Sequence, residues 1–368
     1  MYVFYVYPRW HKVSFTLIAS KHVEYMKKIG GLKVYELDEL MFQNFIPSSK
    51  PKVIVHPCIF IMQRVLQSKV DSQGRFRQDY YDWWRSNWGE MIGIDVCDSD
   101  RMSDIAVSIL NLNDKLITHS RFCVEVYKRS GVKRKVYLLP HGVDPLWYEL
   151  PNTWDTVPVS KIPSALLNIY TYKIRKGKKI ILFWLWHSAE RKGWYEVREA
   201  YRRLRRQRDD VILVLKTLNP NTHEYQQIMD LGAINIYGWL TDYEKMLLYD
   251  LADITLNFSR GGGFELNCLE SLARGVPCIA NEWGSWTDYV PKFLQVKRGR
   301  KVKPLPNNAI HVGYGYTVDV DDAVAKINDI LDNYDEYKAR VEDYRKNVLA
   351  KTYRWDIIAW KLYEIIQE

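Results

Sequence analysis

The chain is predicted to be an α/β protein whose parallel strands are arranged in two sequential halves. Short apolar runs alternate with helical patterns from the first residue to beyond 280. The run at 179–186 is apolar almost without interruption, as a strand buried on both faces of a parallel sheet is. The rhythm weakens once, between about 151 and 178, and then resumes. A chain of 368 residues, 47% hydrophobic and 26% charged, suits two domains with packed cores.

The elements follow in order. Residues 2–7 read as the first strand, and residues 19–29 as a helix that stops at Gly30 and Gly31. Further strands are expected at 33–37, 52–56, 91–97, 116–119 and 136–139. Pro151, Pro158 and Pro163, followed by the basic run KIRKGKK, mark a linker over 151–178. Beyond it come a strand at 179–186, a helix at 194–207 and strands at 211–216, 233–237, 254–257 and 277–280. Helical patterns run from 318 to the end. This is the layout of two Rossmann-like halves, which bind ligands outside the carboxyl ends of their strands.

Composition bounds the function. No stretch of 18 apolar residues appears, so no transmembrane helix is expected. The first ten residues lack a basic lead, which argues against a signal peptide. The five cysteines, Cys58, Cys97, Cys123, Cys268 and Cys278, are scattered without a CxxC pair, against zinc clusters and a disulfide framework. A cytoplasmic location follows, with the membrane surface open. The net charge of +9 suits anionic partners without choosing among them. The 14 Trp and 26 Tyr fit either large cores or stacking on sugars and bases.

The segment richest in chemistry is LNFSRGGGFELNCLESLARGVPCIA, residues 256–280. A strand ends at Asn257, and the turn Gly261, Gly262, Gly263 leads into a helix starting near Phe264 or Glu265. Glycines let the backbone approach a ligand, and the helix start favours an anion. Glu270 lies about one and a half turns further on.

This segment resembles the signature of family 4 glycosyltransferases of the GT-B fold. Gly263-Phe264, Leu266, Leu269-Glu270-Ser271-Leu272-Ala273, Gly275 and Pro277-Cys278-Ile279-Ala280 match; Gly262 stands where the pattern has its first Glu, and Glu265 where it has its second glycine. His141-Gly142-Val143-Asp144 is similar to the family's Pro-Asn-Gly-Val-Asp segment, Arg191-Lys192-Gly193 to its basic turn, and Trp186-His187 occupies the place of a Gly-Arg pair. Gly238-Trp239-Leu240, Gly284-Ser285 and Gly315-Tyr316 follow in the family's order.

The resemblance implies a GT-B α/β fold, two Rossmann-like domains facing across a cleft. The acceptor domain would be 1–150, the linker 151–178, the nucleotide-sugar domain 179–345 and a helix at 346–368 that returns to the first domain. It implies transfer of a sugar from a nucleoside-diphosphate sugar to a hydroxyl acceptor on a glycan, lipid or protein, with retention, and with no metal or other cofactor. Glu270 would hold the ribose hydroxyls. Arg191, Lys192 and His187 would face the diphosphate, and Gly262, Gly263 and Phe264 would line the donor. Glu265 would compensate for Gly262 at the sugar. Asp98 and Asp100, after the strand at 91–97, would contact the acceptor or act as base; the same pair read as a metal-binding Asp-x-Asp motif belongs to a different fold. His56 and His11 are similarly placed, with structural roles equally open.

The basic run YRRLRRQR, residues 201–208, reads as a solvated helix end, with membrane contact as the alternative. No nucleic-acid-binding signature is present, and no nucleic-acid partner is expected. Two rival functions remain at this level: a GT-B nucleotide-sugar epimerase, and a binding protein that retains the fold without catalysis.

Overall fold

The computed structural model describes residues 1–152, 154, 157–185, 188–218 and 222–368. Two compact units emerge. Unit 1 comprises Met1–Gly142, Ala309–Val312 and Tyr353–Glu368; unit 2 comprises Val143–Asn308 and Gly313–Thr352.

Unit 1 is built on six parallel strands, β1 (Tyr2–Tyr7), β2 (Lys33–Asp38), β3 (Lys52–Val55), β4 (Met91–Ile94), β5 (Lys115–Thr118) and β6 (Lys135–Leu138), in the order β2-β1-β3-β4-β5-β6. Val3, Val53, Ile54, Val55, Ile92 and Leu116 are fully buried, as expected of strands covered on both faces. Helix α1 (Ser14–Met26) starts earlier than residues 19–29 imply, because Ile18 and Ala19 already face the core. It ends short of Gly30, where Lys28 and Ile29 close tighter three-residue turns onto Tyr25 and Met26. Strand β4 stops at Ile94, short of residue 97. Beyond it the buried Asp95 carboxylate accepts from the Ile59 and Val96 N–H groups at 2.7 and 2.8 Å, and burial pushes its pKa up to about 7.

Unit 2 carries six parallel strands, β7 (Lys179–Leu185), β8 (Val211–Thr217), β9 (Ile234–Tyr237), β10 (Ile254–Asn257), β11 (Cys278–Asn281) and β12 (Gln295–Val296), in the order β12-β11-β10-β7-β8-β9. The order reverses between β7 and β10, and ligands bind outside the carboxyl ends of strands at such a reversal. Helix α2 (Trp194–Gln207) connects β7 to β8, α3 (Asp242–Leu251) connects β9 to β10, and α4 (Leu266–Ala273) connects β10 to β11. Right-handed crossovers put α2 on one face of the sheet and α3 and α4 on the other. An antiparallel ribbon, β13 (Arg298–Val302) with β14 (Gly315–Val318), completes the strands. The stretch expected to be an irregular linker holds a helix, Ser164–Tyr170, continued by a π-helical turn, Thr171–Arg175.

The last helix, α5 (Trp355–Gln367), packs on α1 within unit 1, as the expected return of the C-terminal helix requires. Its C-terminal carbonyls at Ile365 and Ile366 accept from the Lys115 and Lys52 ammonium groups. Cations at a helix C-terminus satisfy otherwise unpaired carbonyls and complement the dipole.

Candidate functional site

The site of unit 2 assembles from the turns that leave β7 and β10. After β7, Ser188 takes a left-handed φ of 54°, uncommon for a residue with a side chain. A single helical turn, Ala189–Lys192, then ends at Gly193, with φ 72°. A Cβ at Gly193 would run into the Phe258 carbonyl oxygen, so glycine here lets the β7 turn press against the β10 turn.

That approach puts Arg191 and Lys192 on the loop after β10. Arg191 is buried; its Nη1 donates to Gly261 O at 2.9 Å and to Glu265 Oε1 at 3.1 Å. The Lys192 ammonium donates to Glu265 Oε2. Glu265 is 3% exposed and occupies the N-cap position of α4, where its own side chain makes no capping hydrogen bond. Tyr289 fixes it from behind: Glu265 N–H donates to Tyr289 Oη at 3.1 Å, and Tyr289 Oη donates to Glu265 O at 2.8 Å. Phe264 stacks on the Tyr289 ring at 4.6 Å. The carboxylate thus bridges two cations and leaves the trio with one net positive charge. Arg260, on the same loop, is held by both oxygens of Glu196 at 2.9 and 3.0 Å, and by Glu190.

Gly262 has a direct steric reading. A Cβ there would lie 2.7 Å from Glu265 Oε1 and 3.1 Å from Arg191 Nη1. The Glu265 carboxylate fills the space that a side chain at 262 would enter.

Glu270 sits in a second environment. It is 7% exposed, accepts from Lys245 Nζ at 2.8 Å through one oxygen and from Tyr249 Oη at 2.8 Å through the other. Burial pulls the Lys245 ammonium down, but Glu270 and Asp242 outweigh it, so its pKa is raised. Trp184 of β7 stacks on Tyr249 at 5.8 Å. Lys216 of β8 is fully buried, donates to Gly238 O, and is pulled down to about 8 by burial. Its only sequence signal was a single cation inside the apolar strand VILVLKT. Lys245, Tyr249 and Arg260 gave no such signal, because their partners come from other elements.

Of the residues singled out in the sequence, Arg191, Lys192, Gly262, Gly263, Phe264 and Glu265 meet at this loop, and Glu270 stands one helical turn away with its own partners. His187 lies outside the described residues. Asp98 and Asp100 belong to unit 1, where the Asp98 N–H donates to His311 Nδ1 at 3.2 Å. Among the described residues no group of three or more His, Cys, Asp or Glu is placed to hold a metal ion. His11 is exposed near Glu39. His56 instead joins His22, His119 and His141 in a buried cluster. Tyr5 Oη lies 2.8 Å from His22 Nδ1 and 3.1 Å from His56 Nδ1, and the His119 and His141 rings are 3.8 Å apart.

The sequence profile of the family Glycosyl transferases group 1 matches residues 178–304, the span that builds the unit 2 site. That span carries a glycosyltransferase group 1 domain, and the chain is a glycosyltransferase. Two viral proteins are similar to it, and the second is named a glycosyltransferase. The glycosyltransferase is 30% identical to "Uncharacterized protein 356" of Sulfolobus islandicus rod-shaped virus 1, covering 100% of this chain and 98% of that one. It is 26% identical to "Putative glycosyltransferase 45" of Sulfolobus islandicus filamentous virus, covering 68% of this chain and 66% of the other. Its fold is GT-B. Sucrose-phosphate synthase from Thermosynechococcus elongatus superposes with a TM-score of 0.66 at 14% identity, over 100% of this chain and 98% of that one. A trehalose-6-phosphate protein from E. coli bound with UDP-2-fluoro glucose superposes with a TM-score of 0.66 at 9% identity, over 100% and 99%. Among the described residues no helix is long and apolar enough to cross a membrane. The arginines of residues 201–208 are largely engaged: Arg202 and Arg203 with Glu199, and Arg208 with Asp210 and Asp332.

Proposed function

We propose that the glycosyltransferase takes its sugar from a nucleoside diphosphate bound on unit 2 and passes it to a hydroxyl acceptor with retention of configuration. The observation that carries this reading is the Arg191–Glu265–Lys192 bridge at the strand-order reversal. Two cations converge there on one carboxylate, next to the N-terminus of α4. A diphosphate is the stronger partner for those cations. On binding it draws Lys192, and with it Arg191, away from Glu265. Negative charge that builds on the departing diphosphate then meets a preorganised pair of cations and the helix dipole, with no metal required. Glu265, released from Lys192, turns to the donor sugar. The Gly262 geometry supports this: the pattern's carboxylate is supplied three residues later into the same space.

Glu270 holds the ribose hydroxyls through lone pairs left after Lys245 and Tyr249 are satisfied. The ammonium of Lys245, 2.8 Å from one of its oxygens, holds the carboxylate in place for that role. In unit 1, Asp98 and Asp100 orient the acceptor hydroxyl and receive its proton. Retention and the absence of a metal requirement rest on the resemblance to the GT-B signature.

A thermal-shift screen with UDP-, GDP-, ADP- and dTDP-sugars tests the donor. Ligand at 100 times its Kd stabilises by about 2.7 kcal/mol, an easily read rise in Tm. One donor is expected to raise the Tm of the wild type and to lose most of that effect in Lys192→Ala. No response to any of the four would contradict the reading.

A further inference from the structure

The antiparallel ribbon β13–β14 carries a charge pattern that the fold does not use. Residues 297–303 read KRGRKVK, five cations and no acid, and all five side chains are exposed. Lys297 is 3.5 Å from Asp322 and Arg298 is 3.9 Å from Glu282. Among the described residues no carboxylate lies within ion-pair distance of Arg300, Lys301 or Lys303. Unpaired like charges on one short strand repel each other and contribute no packing, so they suit an external anion.

Aromatic rings are threaded among them. The Arg298 guanidinium lies 4.9 Å from the Tyr316 ring, and the Lys301 ammonium 4.6 Å from that of Tyr314. Trp283 meets Tyr316 edge-on at 5.2 Å. Tyr314 as a residue is 42% exposed, and the Lys303 ammonium also lies 6.0 Å from its ring. Cations interleaved with aromatic side chains at the surface are the combination that binds nucleic-acid strands without sequence preference. The five strand residues of β13 alone reach roughly 16 Å, far more than one diphosphate and comparable to several successive phosphates of a strand. An anionic membrane surface would attract the same cations, but the run offers no exposed aliphatic side chain to strengthen that contact by insertion: Val302 is half-buried and Pro304 is buried.

We infer that the β13–β14 ribbon is a sequence-independent binding surface for single-stranded nucleic acid. This goes beyond the donor reading and does not depend on it, since none of these residues belongs to the Arg191–Glu265–Lys192 site. It also departs from the sequence-level expectation of no nucleic-acid partner, which rested on the absence of any named motif.

The test is fluorescence anisotropy of the full chain with a labelled 20-nucleotide DNA strand at 50 and 200 mM salt. Five phosphate contacts give a log–log salt slope of about −3.5, so affinity is expected to fall roughly a hundredfold across that range. In R300A/K301A/K303A the slope drops to about −1.4, and the fall to roughly sevenfold. Tyr314→Ala is expected to weaken binding about fivefold or more with the slope unchanged, through lost stacking. Circular dichroism melts of each variant confirm folding, which exposed substitutions leave intact. Three results overturn the inference: an unchanged salt slope in the triple variant, no effect of Tyr314→Ala, or tighter binding to phosphatidylserine vesicles than to the strand.

Discussion

Acidification is predicted to destabilise unit 1 through its four buried histidines. His22, His56, His119 and His141 are each at most 2% exposed. Burial, and to a smaller extent His119, pull His22 down to about 3. Burial pulls His119 down to about 4, and pulls His56 and His141 well below the usual imidazole range. All four are therefore neutral in the folded unit. The unfolded chain, with imidazoles near 6.5, binds more protons below that pH, so stability is full above about 6.5 and falls as pH drops toward the folded values. At pH 5, one and a half units below 6.5, His22 and His119 each withdraw about 2 kcal/mol, and the pair about 4 kcal/mol. His56 and His141 act in the same direction. Asp95 of the same unit, raised to about 7 when folded, takes up a proton over this range and offsets about 2 kcal/mol of that loss, which leaves a net loss that is large against a typical total of 5–15 kcal/mol. Urea titrations at pH 7 and pH 5, read by hydrogen exchange of unit 1 amides, measure the loss. In His22→Gln the difference between the two pH values is expected to shrink by about 2 kcal/mol, whatever the variant does to stability at pH 7. Equal unit 1 stability at pH 7 and pH 5 in the wild type would refute the argument, because the cluster would then accept protons while folded.

The remaining predictions concern the unit 2 site. Lys192→Ala removes a charge-assisted contact worth about 1.5–3 kcal/mol, so donor binding and turnover are expected to fall together by roughly tenfold to a hundredfold; unchanged kinetics in a folded variant would take Lys192 out of the site. Glu270→Gln is expected to weaken binding of the free nucleoside diphosphate in calorimetry, whereas Glu265→Gln spares that binding and lowers transfer. Transfer at the wild-type rate in Glu265→Gln would mean that Glu265 does not act for Gly262. Activity is expected to survive EDTA, and full loss restored by Mn²⁺ or Mg²⁺ would move the chemistry to a metal at Asp98 and Asp100.

What was legible in the sequence followed from local signals. The apolar run at 179–186 announced β7, and helix 194–207 and strand 254–257 appear with the bounds their periodicity implied. The loop from 258 to 265 was legible because three glycines precede a helix. Strand ends were less so: the apolar pattern continues through Cys97, but the strand stops at Ile94, and Asp95 accepts from Ile59 N–H at the start of the earlier helix Cys58–Ser68. The helix at Ser164–Tyr170 was masked by neighbouring prolines and a basic run. The assignment of Ala309–Val312 to unit 1 depends on pairing with Met102, which no local pattern encodes. The histidine cluster was hidden for the same reason: its members stand on α1 and after β3, β5 and β6, and only the folded sheet brings them together. At the unit 2 site, the motif pointed to Lys192, Glu265 and Glu270, while the partners that hold these loops and side chains in place, Lys245, Tyr249 and Arg191's bond to Gly261, required the fold.

Transfer from a nucleoside-diphosphate sugar is tested most directly by ³¹P and ¹H NMR of the wild type and Lys192→Ala with the donor selected by the thermal-shift screen, with and without hydroxyl acceptors. Nucleoside diphosphate is expected to be released only as an acceptor gains sugar in the donor's own anomeric configuration, and Lys192→Ala is expected to slow this by roughly tenfold or more. Isomerised nucleotide-sugar formed without any acceptor, or tight donor binding with no turnover on any acceptor, would contradict it.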